Sequence, residues 1–111
     1  MSDCLFCKIV AGTIPADTVY ADDQVVVFRD INPKAQVHLL MVPRVHLSGI
    51  DALGPGHDGL TGHMLRLLPQ LAAAQGLHDG FRTIINTGKG GGQEIFHLHL
   101  HLLGGPDLPG F

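Results

Sequence analysis

The chain reads as an α+β domain built on an antiparallel β-sheet, with a short N-terminal helix and one longer helix, and three observations lead there. Five short apolar or β-branched segments are punctuated by glycine, proline, asparagine and aspartate, as strands and turns are. One segment, His57 to Gly76, instead repeats its leucines at three- and four-residue spacing, which is the period of a helix with one apolar face. A chain of 111 residues with 45% hydrophobic content buries one core and has no room for a second, so residues 1–111 are read as a single domain.

The elements follow in order. Leu5 to Val10 reads as one or two helical turns stopped by Gly12 and Pro15. Val19-Tyr20-Ala21 and Val25-Val26-Val27-Phe28 form a hairpin about Asp22-Asp23-Gln24. Asn32-Pro33-Lys34 then breaks the chain before a third strand, Val37 to Val42, which Pro43 closes and whose one imidazole is His38. In the long helix Leu60, Met64, Leu67, Leu68 and Leu71 form the apolar stripe and Gly76 is placed to end it. Pro69 inside this pattern removes a helical hydrogen bond, so a kink, or a later start to the helix, is expected. Phe81 to Asn86 reads as a fourth strand and His97 to Leu102 as a fifth, with the glycine-rich segment Gly88 to Gln93 between them.

The last segment carries the chemistry. In His97-Leu98-His99-Leu100-His101-Leu102 the alternation places three imidazoles on one face of a strand and three leucines on the other, with same-face neighbours about 6 to 7 Å apart. Imidazole is a nucleophile, proton carrier or metal ligand near neutral pH, and packing alone does not explain such a row. The preceding loop is not a nucleotide-binding P-loop, since Lys89 is misplaced and no hydroxyl residue follows it. Its glycines nonetheless allow backbone N–H groups to approach an anion, and a phosphate-cradling role is expected.

Cys4-x-x-Cys7 starts too near the N-terminus for a thioredoxin-type redox pair. The spacing suits a structural zinc completed by two imidazoles, for which His46 and His97 are the candidates, or else two reduced thiols packed as small hydrophobes in the first helix. A formal charge of -3 without a basic cluster gives no footprint for a nucleic acid polymer. The apolar runs are too short to span a bilayer, and the start lacks a signal-peptide pattern. A soluble cytoplasmic protein acting on a small molecule is therefore expected.

His97-Leu98-His99-Leu100-His101-Leu102-Leu103 resembles the signature of the histidine triad superfamily of nucleotide hydrolases and transferases. Phe28 to Pro33, His38 to His46, Asn86-Thr87-Gly88 and Gly92-Gln93-Glu94 resemble further family segments in the family's order. Leu103-Gly104-Gly105 is similar to the Hint branch, the purine nucleoside phosphoramidases, more than to the dinucleoside polyphosphate hydrolases.

The resemblance implies that His99 is a nucleophile toward an α-phosphate, that His101 contacts the phosphate oxygens and that His38 lies near it as a proton carrier. It implies a phosphate-side loop of Asn86, Gly92, Gln93 and Glu94, with Asp30 accepting from the ribose hydroxyls, and a purine slot of Phe6, Ile9, Phe28 and Ile31. Glu94 stands where many relatives carry a serine. The resemblance also implies zinc on Cys4, Cys7, His46 and His97, since some bacterial relatives carry the same Cys-x-x-Cys and Pro-x-x-His, and it implies a homodimer and no catalytic cofactor. The expected activity is hydrolysis of purine nucleoside phosphoramidates or aminoacyl adenylates to AMP or GMP. Its rivals are a dinucleoside polyphosphate hydrolase or nucleotidyl transferase of the same superfamily, a nucleotide-binding module with incidental turnover, and a hydrolase whose catalytic zinc sits on His38, His99 and His101.

Overall fold

A computed structural model describes residues 3–110. Helix α1 (Leu5–Val10) is followed by strands β1 (Thr18–Ala21), β2 (Val25–Arg29) and β3 (Val37–Pro43), helix α2 (Asp58–Ala74), and strands β4 (Arg82–Ile84) and β5 (Leu100–Gly104). The five strands form one sheet in the order β1-β2-β3-β5-β4, and every neighbouring pair is antiparallel. The last strand thus enters the middle of the sheet between β3 and β4.

The two faces are covered unequally, and the inequality makes the site. On one face Val25, Val27, Leu39, Met41, Leu100 and Leu102 pack against Met64, Leu67, Leu68 and Leu71 of α2. Each such burial is worth about 1.5–3 kcal/mol, so this face holds the domain together. On the other, Val26, Phe28, Leu40 and Val42 meet Phe6 of the short α1, whose six residues cover only part of the sheet. The remainder is a cavity.

Three expectations need correction. Helix α2 does not start late: it runs from Asp58 to Ala74 with Pro69 inside it. Pro69 and Leu65 are both exposed, so the carbonyl left without its donor lies on the wet side of the helix. Gly76, at φ 81°, ends it as expected, and the Leu77 N–H reaches back to the Ala72 carbonyl. Strand β4 is shorter than Phe81 to Asn86, pairing only from Arg82 to Ile84. Strand β5 begins at Leu100, so His97, Leu98 and His99 precede it. Met41 already pairs with Leu100, and β3 ends at Pro43; the Leu98 N–H bonds instead to the Leu47 carbonyl, 2.6 Å away. The in-and-out alternation survives without a ladder, because Leu98 is buried with the α2-side core.

No helix among the described residues is long and apolar enough to cross a membrane.

Candidate active site

Period-two alternation across four strands builds one wall of a cavity of about 680 Å³, within the usual range for a small-molecule site. On β5, His101 faces Leu40 of β3 and Ile84 of β4, while Leu103 faces His38 and Arg82. Phe28 and Asp30, at the end of β2, extend the wall toward α1, where Phe6 and Ile9 close it. Ile31 lies at this apolar end too and is 91% exposed, so it offers a surface for a flat ring to cover. Asn86 and Glu94 line the same cavity.

Arg82 and Ile84 join them there without having been singled out from the sequence. The signal was present, since positions 82, 84 and 86 share one strand face and Asn86 was already a candidate.

Each imidazole can be given its tautomer from partners that only donate or only accept. His99 Nδ1 lies 2.7 Å from the His97 carbonyl, so it carries the proton and leaves a lone pair on Nε2. His38 Nδ1 accepts from the Lys34 backbone N–H at 3.0 Å, so its proton is on Nε2, which donates to His101 Nδ1 at 2.9 Å. His101 in turn holds its proton on Nε2. The Asp30 carboxylate stands 3.4 Å from His38 Nε2 through one oxygen and accepts from the Asn32 N–H through the other.

Burial, and then the neighbouring His99 and His38, push the His101 pKa down to about 4. Burial also lowers His38, against the opposing pull of Asp30. Both rings are therefore neutral at pH 7, and the site sets the Nε2 edge of His99, whose Nδ1 is tied to the His97 carbonyl, beside the Nε2–H of His101. The rings of these two residues are 5.1 Å apart, and the Phe6 ring stands edge-on to His99 at 5.0 Å. Two imidazoles and an apolar slot thus share one cavity.

The glycine loop is held largely by its own hydrogen bonds. The N–H groups of Gly91, Gly92 and Gln93 donate to the Gly88 and Lys89 carbonyls within the loop. The buried Gln93 side chain faces inward, donating to Ser48 and Ile95 carbonyls at 2.7 and 2.9 Å and accepting from Gly88 N–H at 2.8 Å. Neither Gly92 nor Gln93 lines the cavity. Gln93 shapes the loop, and Asn86, donating to the Gly91 carbonyl at 2.9 Å, ties the loop to the wall.

A second cluster lies at the foot of α1. Ligand atoms of Cys4, Cys7, His46 and His97 all fall within 4.8 Å of one another. His97 Nδ1 is 3.4 and 3.5 Å from the two sulfurs and 3.2 Å from His46 Nδ1, which is itself 3.2 Å from Cys7 Sγ. Tetrahedral zinc bonds of about 2.0–2.3 Å imply ligand separations of about 3.3–3.8 Å, close to these values. His97 is fully buried and donates from Nε2 to the Pro43 carbonyl at 2.8 Å, which turns its Nδ1 lone pair toward the sulfurs. The donor set can hold such an ion.

A family model described as the scavenger mRNA decapping enzyme C-term binding region matches residues 3–109. Protein HitA of Neisseria gonorrhoeae is 55% identical over 106 residues, covering 96% of this chain and 99% of that protein. The purine nucleoside phosphoramidase of Escherichia coli (strain K12) is 40% identical over 107 residues, or 96% and 90% of the two chains. The crystal structure of a HIT family hydrolase from Legionella pneumophila Philadelphia 1 superposes with a TM-score of 0.93 at 44% identity over 96% of each chain. With that fold, that relatedness and three imidazoles on one cavity wall, the chain belongs to the histidine triad (HIT) family of hydrolases.

Proposed function

We propose that the protein hydrolyses purine nucleoside phosphoramidates, or aminoacyl adenylates, through a nucleotidyl intermediate on His99, releasing AMP or GMP. The observation that carries this reading is the hydrogen bond from His99 Nδ1 to the His97 carbonyl, which frees the Nε2 lone pair inside a cavity with an apolar slot at one end. The purine takes the slot between Phe6, Ile9, Phe28 and Ile31, and Asp30, an acceptor-only carboxylate, takes the ribose diol.

His99 Nε2 then forms a bond to phosphorus as the bond to the leaving group breaks. The imidazole becomes cationic while joined to the nucleotide, and the His97 carbonyl meets that charge through the Nδ1–H. The His101 Nε2–H, backed by His38, donates a hydrogen bond to a phosphoryl oxygen, while the departing nitrogen takes its proton from solvent and the water of the second step gives one back. Water attacks phosphorus in the second step and returns the lone pair to His99.

Hydrogen-bond accounting argues against a catalytic zinc on His38, His99 and His101. His38 Nε2 carries a proton because the Lys34 N–H occupies Nδ1, so it has no lone pair to offer there. Zinc is proposed instead as a structural ion on Cys4, Cys7, His46 and His97. A homodimer is proposed as well, supported by β4, which lies at the sheet edge with an exposed Phe81 beside it. A cytoplasmic location goes with this reading.

The test is incubation of wild-type and His99→Ala protein with adenosine 5′-phosphoramidate, followed by amine release and intact mass. Turnover should fall by at least about 10³-fold in the variant, and an adenylyl adduct should appear on wild type alone in rapid quench. Retained turnover in the variant removes the proposed nucleophile, and tight AMP binding without any turnover in wild type leaves only a binding module.

A further inference from the structure

Helix α1 belongs to two sites at once. Leu5, Phe6 and Ile9 line the cavity, while Cys4, at the N-cap, and Cys7 gather with His46 and His97. The helix has six residues, too few to be stable by itself in water, and Phe6 is the one that is buried. Its position therefore depends on what fastens it to the sheet.

The fastenings converge on the two cysteines. Backbone hydrogen bonds of residues 4–10 stay within residues 4–14, and among the described residues every side-chain hydrogen bond from this segment to the rest of the domain runs through Cys4 or Cys7. Cys4 Sγ also caps the helix, accepting from the Cys7 N–H at 3.3 Å. Between the two cysteines in sequence, the Phe6 ring stands edge-on to Phe28 at 5.6 Å, to His97 at 6.0 Å and to His99 at 5.0 Å. One short helix thus carries two metal-type ligands and the wall of the purine slot.

We infer that Cys4 and Cys7 are positioning residues for the nucleotide: gathered with His46 and His97 on one metal ion, they lock the α1 wall of the slot, so that metal and nucleotide bind cooperatively. This rests on the nucleotide reading of the cavity and on the zinc proposed above for these four ligands. Docked α1 is the state that both ligands favour, so either one, once bound, spares the other the cost of ordering it. The coupling belongs chiefly to the base, which α1 contacts, and not to the phosphate, whose partners are His99 and His101.

Zinc-loaded wild-type protein and the same protein stripped by a chelator are titrated with AMP and with ribose 5-phosphate, at a temperature where circular dichroism shows both forms folded. AMP is the product and is not consumed, so equilibrium constants are read directly. Zinc should tighten AMP about tenfold and ribose 5-phosphate by less than about twofold. Saturating AMP should in turn raise the zinc affinity, measured against a competing chelator, by the same factor of about ten. Where the stripped chain does not stay folded, this competition carries the test, with ribose 5-phosphate again as the control. AMP affinity indifferent to zinc overturns the inference and leaves the phosphoramidase reading standing, and so does a chain that takes up no zinc. Equal tightening of the two ligands overturns it as well, because a metal that only holds the domain together acts on both alike. Failure of the loaded protein to bind AMP overturns the proposed function and this inference with it.

Discussion

His97 and His99 are two residues apart and lie on the same side of the chain, yet one belongs to a metal-type cluster and the other to a cavity. Each gives its single proton to a backbone carbonyl. His97 does so from Nε2, to Pro43, and His99 from Nδ1, to His97 itself. The nitrogen left over is therefore Nδ1 in the first case, against two sulfurs, and Nε2 in the second, with an open cavity beside it. The same side chain acquires two chemistries according to which nitrogen is tethered.

Breaking the His97 side of this pair should cost stability before it costs chemistry. Cys7→Ser, or removal of metal by a strong chelator, should lower the stability of the domain by about 3 kcal/mol, or roughly 10–20 °C in Tm for a chain of this size. The loss is bounded because the α2-side core forms without help from the cluster. Thermal unfolding with metal analysis checks this: wild type should contain about one zinc per chain and the variant little. Unchanged Tm together with no zinc in the purified protein would return the two cysteines to the role of packed thiols.

The His99 side is held through the pair His38 and His101. His38→Ala removes the donor to His101 Nδ1 and leaves the Lys34 N–H without its acceptor, so kcat should fall by about 10- to 100-fold. His38→Gln can satisfy both with one amide and should stay within about tenfold of wild type. Equal losses in the two variants would break the proposed relay. The pH profile sharpens the same point. Protonated His101 cannot accept from His38, so the hydrogen bond between the two rings should persist below the ordinary imidazole range and break as pH falls through about 4, as their ring 15N shifts would show. The stability sign follows from the same lowered pKa. The unfolded chain binds this proton at 6.5 and the folded one only near 4, so the contribution of His101 is complete above 6.5 and lost progressively down to about 4.

Much of this pair was legible in the sequence because alternation survives where a ladder does not. The row His97, His99 and His101 opposite Leu98, Leu100 and Leu102 is a statement about side-chain direction, and both an extended approach and a strand obey it. Period alone does not reveal that residues 97–99 lack a strand partner, which depends on where β3 ends. The inward turn of Gln93 was not legible either, since its acceptors on Ser48 and Ile95 are fixed by loop geometry. A glutamine among glycines reads as a spare donor until those carbonyls are located. How α2 accommodates Pro69 was not legible for a related reason: its cost depends on which side of the helix meets water, and the side it takes is exposed.

A third histidine sets the lower limit of the comparison. His63 on α2 places Nε2 2.7 Å from Asp22 Oδ2, which also accepts from the Tyr20 hydroxyl at 2.7 Å, while Asp22 Oδ1 accepts from the Gln24 and Val25 N–H groups. Burial opposes the Asp22 charge, but these hydrogen bonds outweigh it and hold the carboxyl below the usual range. The cluster joins α2 to the β1–β2 turn and does not line the cavity. His63→Ala should therefore cost about 1 kcal/mol, seen as a Tm lower by a few degrees, with kcat unchanged. Because Asp22 titrates lower folded than unfolded, its contribution is present above its ordinary value of 3.8 and is lost only as pH falls toward the depressed one. A fall in kcat in this variant would mean that the α2 face communicates with His99 across the sheet, and the separation between structural and reactive imidazoles would then hold only locally.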